Sequence, residues 1–125
     1  MKIALLLLCV LGWSIAQQPP EREGNFSIRF EPTAKLQTGA EVPFQITVTD
    51  ALHKPVTHAK TTLQIEMTDS TSVAVFRAPE FDPKASPGVY VAKPVFPAAG
   101  EWNVYVEVHR ENQMSARTIQ FTVPQ

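Results

Sequence analysis

Apolar and polar residues alternate with a period of two in short runs that recur along the chain. Because successive side chains of a β-strand point to opposite faces of a sheet, this alternation predicts strands with one buried and one exposed face. The run SVAVFRA is shorter, and the run GVYVAKPVF is apolar on both faces for part of its length. The runs are NFSIRFE (25–31), EVPFQITVTD (41–50), HAKTTLQIEM (58–67), SVAVFRA (72–78), GVYVAKPVF (88–96), Trp102 to Val108, and Ile119 to Val123. No window of helical period competes with these seven strands.

The segments between the runs are turn-forming. The chain has 11 prolines in 125 residues, above the usual share of about 5%, and they lie between the apolar runs instead of in one tract. This distribution favours short strands joined by turns over long helices. The sequence therefore predicts an all-β fold, an antiparallel immunoglobulin-like β-sandwich of about seven strands, in one domain over residues 25–125.

The stretch SPGVYVAKPVFPAAGEWNVYVEVH (86–109) predicts a hairpin, because a Pro-Gly turn precedes one strand and a Gly turn precedes the next. Trp102 is the largest apolar side chain of the predicted domain, and it stands at the start of the second of these strands. We expect it to pack in the core. Pro94 cannot donate to a strand ladder, so it places the fifth strand at a sheet edge.

The N-terminus has the pattern of a secretory signal peptide. Lys2 is followed by an apolar run from Ile3 to Trp13 and then by small residues at Ser14 and Ala16. We expect cleavage after Ala16, a flexible leader over residues 17–24, and a secreted or periplasmic domain. The apolar run is shorter than the roughly 20 residues of a membrane span, so no span is expected in the mature chain.

Few chemistries are open to the predicted mature chain. The single cysteine, Cys9, would leave with the signal peptide, which excludes disulfides and thiolate sites. The formal net charge is −1 for the full chain and becomes −2 when Lys2 leaves with the signal peptide, so the mature chain offers no basic surface for nucleic acid. No serine stands in a nucleophile elbow, and no Gly-rich phosphate loop occurs. We therefore expect a non-enzymatic protein.

Two-thirds of the chain resembles the YtkA-like family of small exported domains, neighbours of the FixH-like proteins. The matching segments are VTDALHKPVTHAKTTLQIEM, the 86–109 stretch and RTIQFTV. The resemblance implies an immunoglobulin-type sandwich outside the cytoplasmic membrane, in a family associated with copper handling and cytochrome-oxidase assembly. Where the family pattern has turn glycines, this sequence has His53 and His58.

The residues that suit copper are histidines and methionines, because imidazole and thioether are its preferred soft or borderline ligands. In an immunoglobulin-like topology, the second-to-third and sixth-to-seventh connections lie at the same end. His53, His109 and Met114 could therefore converge at one rim, with His58 beside them. Met67 would lie at the opposite end, where it continues the inward parity of its strand and fills core space.

These observations leave two functions open. One is an accessory or binding domain of the cell envelope with a role in copper handling or oxidase assembly, using His53, His109 and Met114. The other is a structural or protein–protein interaction module without metal, in which a sheet edge recruits another chain by β-addition. The sequence specifies neither the envelope protein partner nor the oligomeric state.

Overall fold

A computed structural model describes residues 24–69, 72–82, 84 and 86–125. All of its regular elements are β-strands, which form two antiparallel sheets. The strands are β1 (Phe26–Pro32), β2 (Phe44–Asp50), β3 (Lys60–Met67), β4 (Val73–Arg77), β5 (Val89–Ala92), β6 (Gly100–Arg110) and β7 (Gln113–Val123). The prediction of an all-β antiparallel sandwich of seven strands is confirmed.

The strands divide unequally between the sheets. One sheet has the order β1-β2-β5 and the other has the order β4-β3-β6-β7. Strands β6 and β7 form the longest pairing, which runs from Gly100 opposite Val123 to Arg110 opposite Gln113. Strand β4 pairs only with β3, so it lies at the end of the four-stranded sheet.

The core consists of the inward residues of both sheets, as the alternation predicts. Val104, Val106 and Val108 of β6 are fully buried, and they face Ile46 and Val48 of the other sheet in one apolar cluster. Around Phe44 the ring of Phe121 lies edge-on at a centroid distance of 5.4 Å. Burial of about 25 cal/mol per Å² of apolar surface makes this cluster the main stabilising term.

Trp102 lies at one end of this core, which confirms its predicted role. Its side chain is 1% exposed. The ring meets Phe96 edge-to-face at a centroid distance of 5.5 Å, and the indole Nε1 donates a hydrogen bond of 2.9 Å to the carbonyl oxygen of Ala98. Both the apolar body and the polar edge of the indole are therefore satisfied.

The prediction of a hairpin over residues 86–109 is wrong. Strand β5 pairs with β2, whereas β6 pairs with β3 and β7 in the other sheet. The connection between β5 and β6 therefore crosses from one sheet to the other. Pro94 and Pro97 lie in this connection and lack the N–H groups that a hairpin ladder would need.

Two strand boundaries also differ from prediction. Strand β5 ends at Ala92, so Pro94 lies beyond it. Pro94 is buried, and its carbonyl accepts a hydrogen bond from the Val42 N–H. Strand β7 begins at Gln113 instead of Ile119, because the polar residues HRENQM contain a tight turn at Glu111 and Asn112 and otherwise extend both strands.

The predicted signal peptide (1–16) and residues 17–23 of the leader lie outside the described residues. Within the described part of the chain, no helix is long and apolar enough to cross a membrane.

Candidate functional site

Two of the predicted copper ligands are direct neighbours. His109 of β6 and Met114 of β7 are Cα partners across the strand pair. The residues beside them, Val108 and Ser115, are buried, so His109 and Met114 lie on the outer face of the four-stranded sheet. The β6–β7 hairpin therefore brings an imidazole and a thioether to one place.

The imidazole of His109 is already engaged by a carboxylate on its own strand. Its Nε2 lies 2.6 Å from Oε2 of Glu107, and the Tyr105 hydroxyl donates a hydrogen bond of 2.8 Å to the other carboxylate oxygen. These contacts, with His109 the largest, lower the pKa of the Glu107 carboxyl. Glu107 thus holds both neighbouring side chains in line along β6.

His53 lies on the turn between β2 and β3. The Asp50 carboxylate accepts hydrogen bonds from the backbone N–H groups of Leu52 and Lys54 and so shapes this turn. The bond from Lys54 is the largest cause of the lowered pKa of Asp50. Residues of this turn and of the β6–β7 turn, among them Leu52 and Arg110, line one shallow depression, which confirms that the two connections share an end.

The strand pairing makes neighbours of two of the three predicted copper ligands. His109 and Met114 are adjacent, and His53 lines a depression formed by the β2–β3 turn and the start of β1. Among residues 24–69, 72–82, 84 and 86–125, no three His, Cys, Asp or Glu side chains are grouped so as to hold a metal ion. Met67 lies opposite Trp102 at the other end of the sandwich and packs against the core, as expected.

His53 and His58, which occupy the glycine positions of the resembled pattern, have left-handed backbones. Their φ angles are +62° and +56°. A side chain in this region clashes with its own carbonyl at a cost of roughly 1–2 kcal/mol, which glycine avoids. The positive φ angles explain why glycine suits these two turn positions.

We predict that His53→Gly and His58→Gly each raise the free energy of unfolding by about 0.5–1 kcal/mol, since the relieved strain exceeds the backbone entropy that glycine loses on folding. Urea unfolding measures this change. His53→Ala and His58→Ala are the matched controls, because alanine removes the imidazole but keeps the strain. A glycine variant no more stable than its alanine control would contradict the prediction.

A second candidate site is the edge strand β4. The large apolar side chains that are exposed in the described part of the chain are Leu52, Val73, Val75 and Phe81. Val73 and Val75 are 50% and 61% exposed on the outer side of β4. Exposed valines on an edge strand are unusual, because natural proteins usually protect such strands from pairing with another chain.

The other three edges of the sandwich are covered. On one side, the Phe26 N–H donates to the Ser115 hydroxyl, and the Arg117 guanidinium donates to the Ile28 carbonyl, which ties β1 to β7. On the opposite side, the segment after β4 runs along β5, where the Phe81 N–H donates to the Val89 carbonyl. In the described residues, β4 has only β3 as a strand neighbour.

The backbone groups of β4 alternate between β3 and the open edge. A backbone hydrogen bond lies just beyond each end of the β3–β4 pairing. At one end the Ala78 N–H donates to the Thr61 carbonyl, and at the other the Met67 N–H donates to the Ser72 carbonyl. In an antiparallel pair every second residue is hydrogen-bonded to the partner, so the bonded residues of β4 are Ala74 and Phe76. The N–H and C=O groups of Val73, Val75 and Arg77 therefore point away from β3, to the open edge.

Sequence reasoning did not identify this edge. In the run SVAVFRA the residues from Val73 to Phe76 are all apolar, which was the available signal, but a strand buried on both faces and a docking strand share that pattern. Which strand ends a sheet depends on pairings between distant segments.

Comparison with known protein families gives a match. A family model described as YtkA-like matches residues 21–107. This range spans β1 to most of β6 and includes the β4 edge. No curated protein matches the sequence.

Proposed function

The chain belongs to the YtkA-like family, and from this membership we propose that it is an exported, non-enzymatic accessory domain that binds a partner protein along the open edge of β4. The observation that carries the proposal is the exposure of Val73 and Val75 on a strand whose outward backbone groups have no strand beside them in the part of the chain that the structure describes. An incoming extended segment would satisfy those N–H and C=O groups and cover the valines.

Export is supported by the N-terminal sequence. Lys2, the apolar run from Ile3 to Trp13, and the small residues Ser14 and Ala16 form the pattern that signal peptidase recognises. A binding role also agrees with the described surface, where the depression between the β2–β3 and β6–β7 turns lies on the outside of the sandwich.

Site-specific photo-crosslinking in living cells tests the proposal. A photoreactive amino acid replaces Val75, and in the control it replaces Gln120, which lies in a neighbouring cross-strand row on the outer face of the same sheet. We expect a discrete adduct from position 75 and none from position 120. Equal adducts from both positions, or none from either, would refute binding along β4.

Copper handling is a second candidate function, and the pairing of His109 with Met114 favours it. These two side chains, with His53 from the neighbouring turn, would be the copper ligands. Titration with cuprous ion against a competing chelator tests this role. We expect submicromolar binding that is lost in His109→Ala and weakened in His53→Ala, while Met67→Leu, at the other end of the sandwich, binds as the unmodified protein does. Binding weaker than about 100 μM would reject it.

A further inference from the structure

We propose that the segment which pairs with β4 is the β4 strand of a second copy of this chain, so that two four-stranded sheets join into one continuous sheet. This inference rests on the proposed function, since it names the occupant of the same edge. A two-fold axis would make the contact isologous, with the same residues used by both copies.

The hydrogen-bonding pattern of β4 selects one register. If two β4 strands run antiparallel with Val75 opposite Val75 of the other copy, Val73 lies opposite Arg77. All three residues direct their N–H and C=O groups to the open edge, so each of these groups finds a partner across the axis. A register centred on Ala74 would pair Val73 with Val75 and leave the outward groups of Arg77 unpaired within the strand.

The side chains fit this register on both faces of the joined sheet. On the inner face, Ala74 lies opposite Phe76 of the second copy, so a small residue faces a large one; both are half-buried and pack against the core of their own copy. On the outer face, the two Val75 side chains meet at the axis and shield each other.

Charge complementarity adds a specific contact. Glu66 of β3 is the cross-strand partner of Val73, so in the joined sheet one row reads Glu66, Val73, then Arg77 of the second copy. The two charged residues are then two strand spacings apart, about 10 Å between Cα atoms, which the two long side chains can bridge over Val73. The two-fold axis repeats this ion pair, so that Glu66 of each copy faces Arg77 of the other. The formal net charge, −1 for the full chain and −2 without Lys2, opposes association only weakly.

A charge-reversal series tests the register. Sedimentation velocity over a concentration series measures the dimer dissociation constant of the unmodified protein, of Glu66→Arg, of Arg77→Glu and of the double variant. We expect a reversible dimer that each single reversal weakens about tenfold or more. The double variant should return to within about threefold of the unmodified protein, because the reversed charges again face each other.

A backbone variant supplies an independent test. Val75→Pro removes an N–H that β3 does not use, so the monomer keeps its β3–β4 hydrogen bonds while the central bonds of the dimer are lost. Urea unfolding and circular dichroism check that the variant folds, and Val75→Thr, which keeps the shape and the N–H, is the matched control. We expect Val75→Pro to be monomeric and Val75→Thr to dimerise.

The outcomes separate this inference from the proposed function. A protein that stays monomeric to about 1 mM, while position 75 crosslinks to a different protein in cells, would overturn the second-copy inference and leave the proposed function standing. A dimer that is indifferent to Val75→Pro and to both charge reversals would also overturn it, since the contact would lie elsewhere. Adducts between two copies from position 75, together with the charge-reversal rescue, would support both.

Discussion

Replacing Trp102 with alanine is expected to lower the free energy of unfolding by about 3–5 kcal/mol. The indole is 1% exposed and packs edge-on against Phe96. Its removal leaves a cavity in the core, and the carbonyl of Ala98 loses its donor. A domain of this size has about 5–15 kcal/mol of stability in total, so the variant should unfold at least about 12 °C lower. Urea and thermal unfolding measure both quantities.

Two controls show whether this loss comes from the buried ring. Trp102→Phe keeps an aromatic ring in the core but removes the N–H, and we expect it to cost less than the alanine variant. Leu52→Ala truncates an apolar side chain that is 74% exposed, and we expect a change within about 0.5 kcal/mol. A Trp102→Ala variant that loses less than about 1 kcal/mol would show that the indole is not a core element.

Removing the Tyr90 hydroxyl is expected to have the second-largest effect. This hydroxyl donates a hydrogen bond of 2.7 Å to the Val56 carbonyl and accepts one of 3.1 Å from the Ala59 N–H. It therefore ties β5 to the segment that enters β3. Tyr90→Phe leaves both backbone groups unpaired in a site where the side chain is 1% exposed, and this should cost about 1–3 kcal/mol at neutral pH.

The stability that Tyr90 contributes also depends on pH, and the direction of its pKa shift sets the sign of that dependence. Burial, as the largest cause, raises the pKa of Tyr90 from 10.0 to about 12, and the Glu80 carboxylate adds to the shift. Because the folded-state pKa lies above the unfolded value, the stabilising contribution is complete below pH 10 and is lost as the pH rises toward 12.

Urea unfolding between pH 8 and 11 of the unmodified protein and of Tyr90→Phe checks this dependence. We expect the stability difference between them to shrink as the pH rises through about 10, because only the unmodified protein has this ionisation. Because the two proteins differ only at position 90, the difference isolates the contribution of Tyr90. A difference that stays constant with pH would contradict the raised pKa.

The candidate sites were only partly predictable. The alternation and the known end-to-end order of such sandwiches were enough to place the β2–β3 and β6–β7 turns at one end and Met67 at the other. The cross-strand pairing of His109 with Met114 required the register of β6 on β7, which depends on a turn at Glu111 and Asn112. The engagement of His109 by Glu107 is a matter of side-chain rotamers, which a sequence pattern does not encode.

The amino-acid sequence by itself determined that this chain forms about seven strands and which face of most of them is buried. The reason is local: a period of two puts most apolar residues of a strand on one side, and prolines and glycines end the runs. Trp102 belonged to the core for the same reason.

Only the tertiary structure decided which strands are neighbours. The 86–109 stretch has the local pattern of a hairpin, yet β5 and β6 belong to different sheets because their connection cannot continue a ladder and because each strand finds a longer-range partner in β2 or β3. Likewise, within the described residues β4 has a strand on one side only, whereas β1 and β7 cover each other and the segment after β4 covers β5. These are contacts between distant parts of the chain, and a local sequence pattern does not specify which of them are the most favourable.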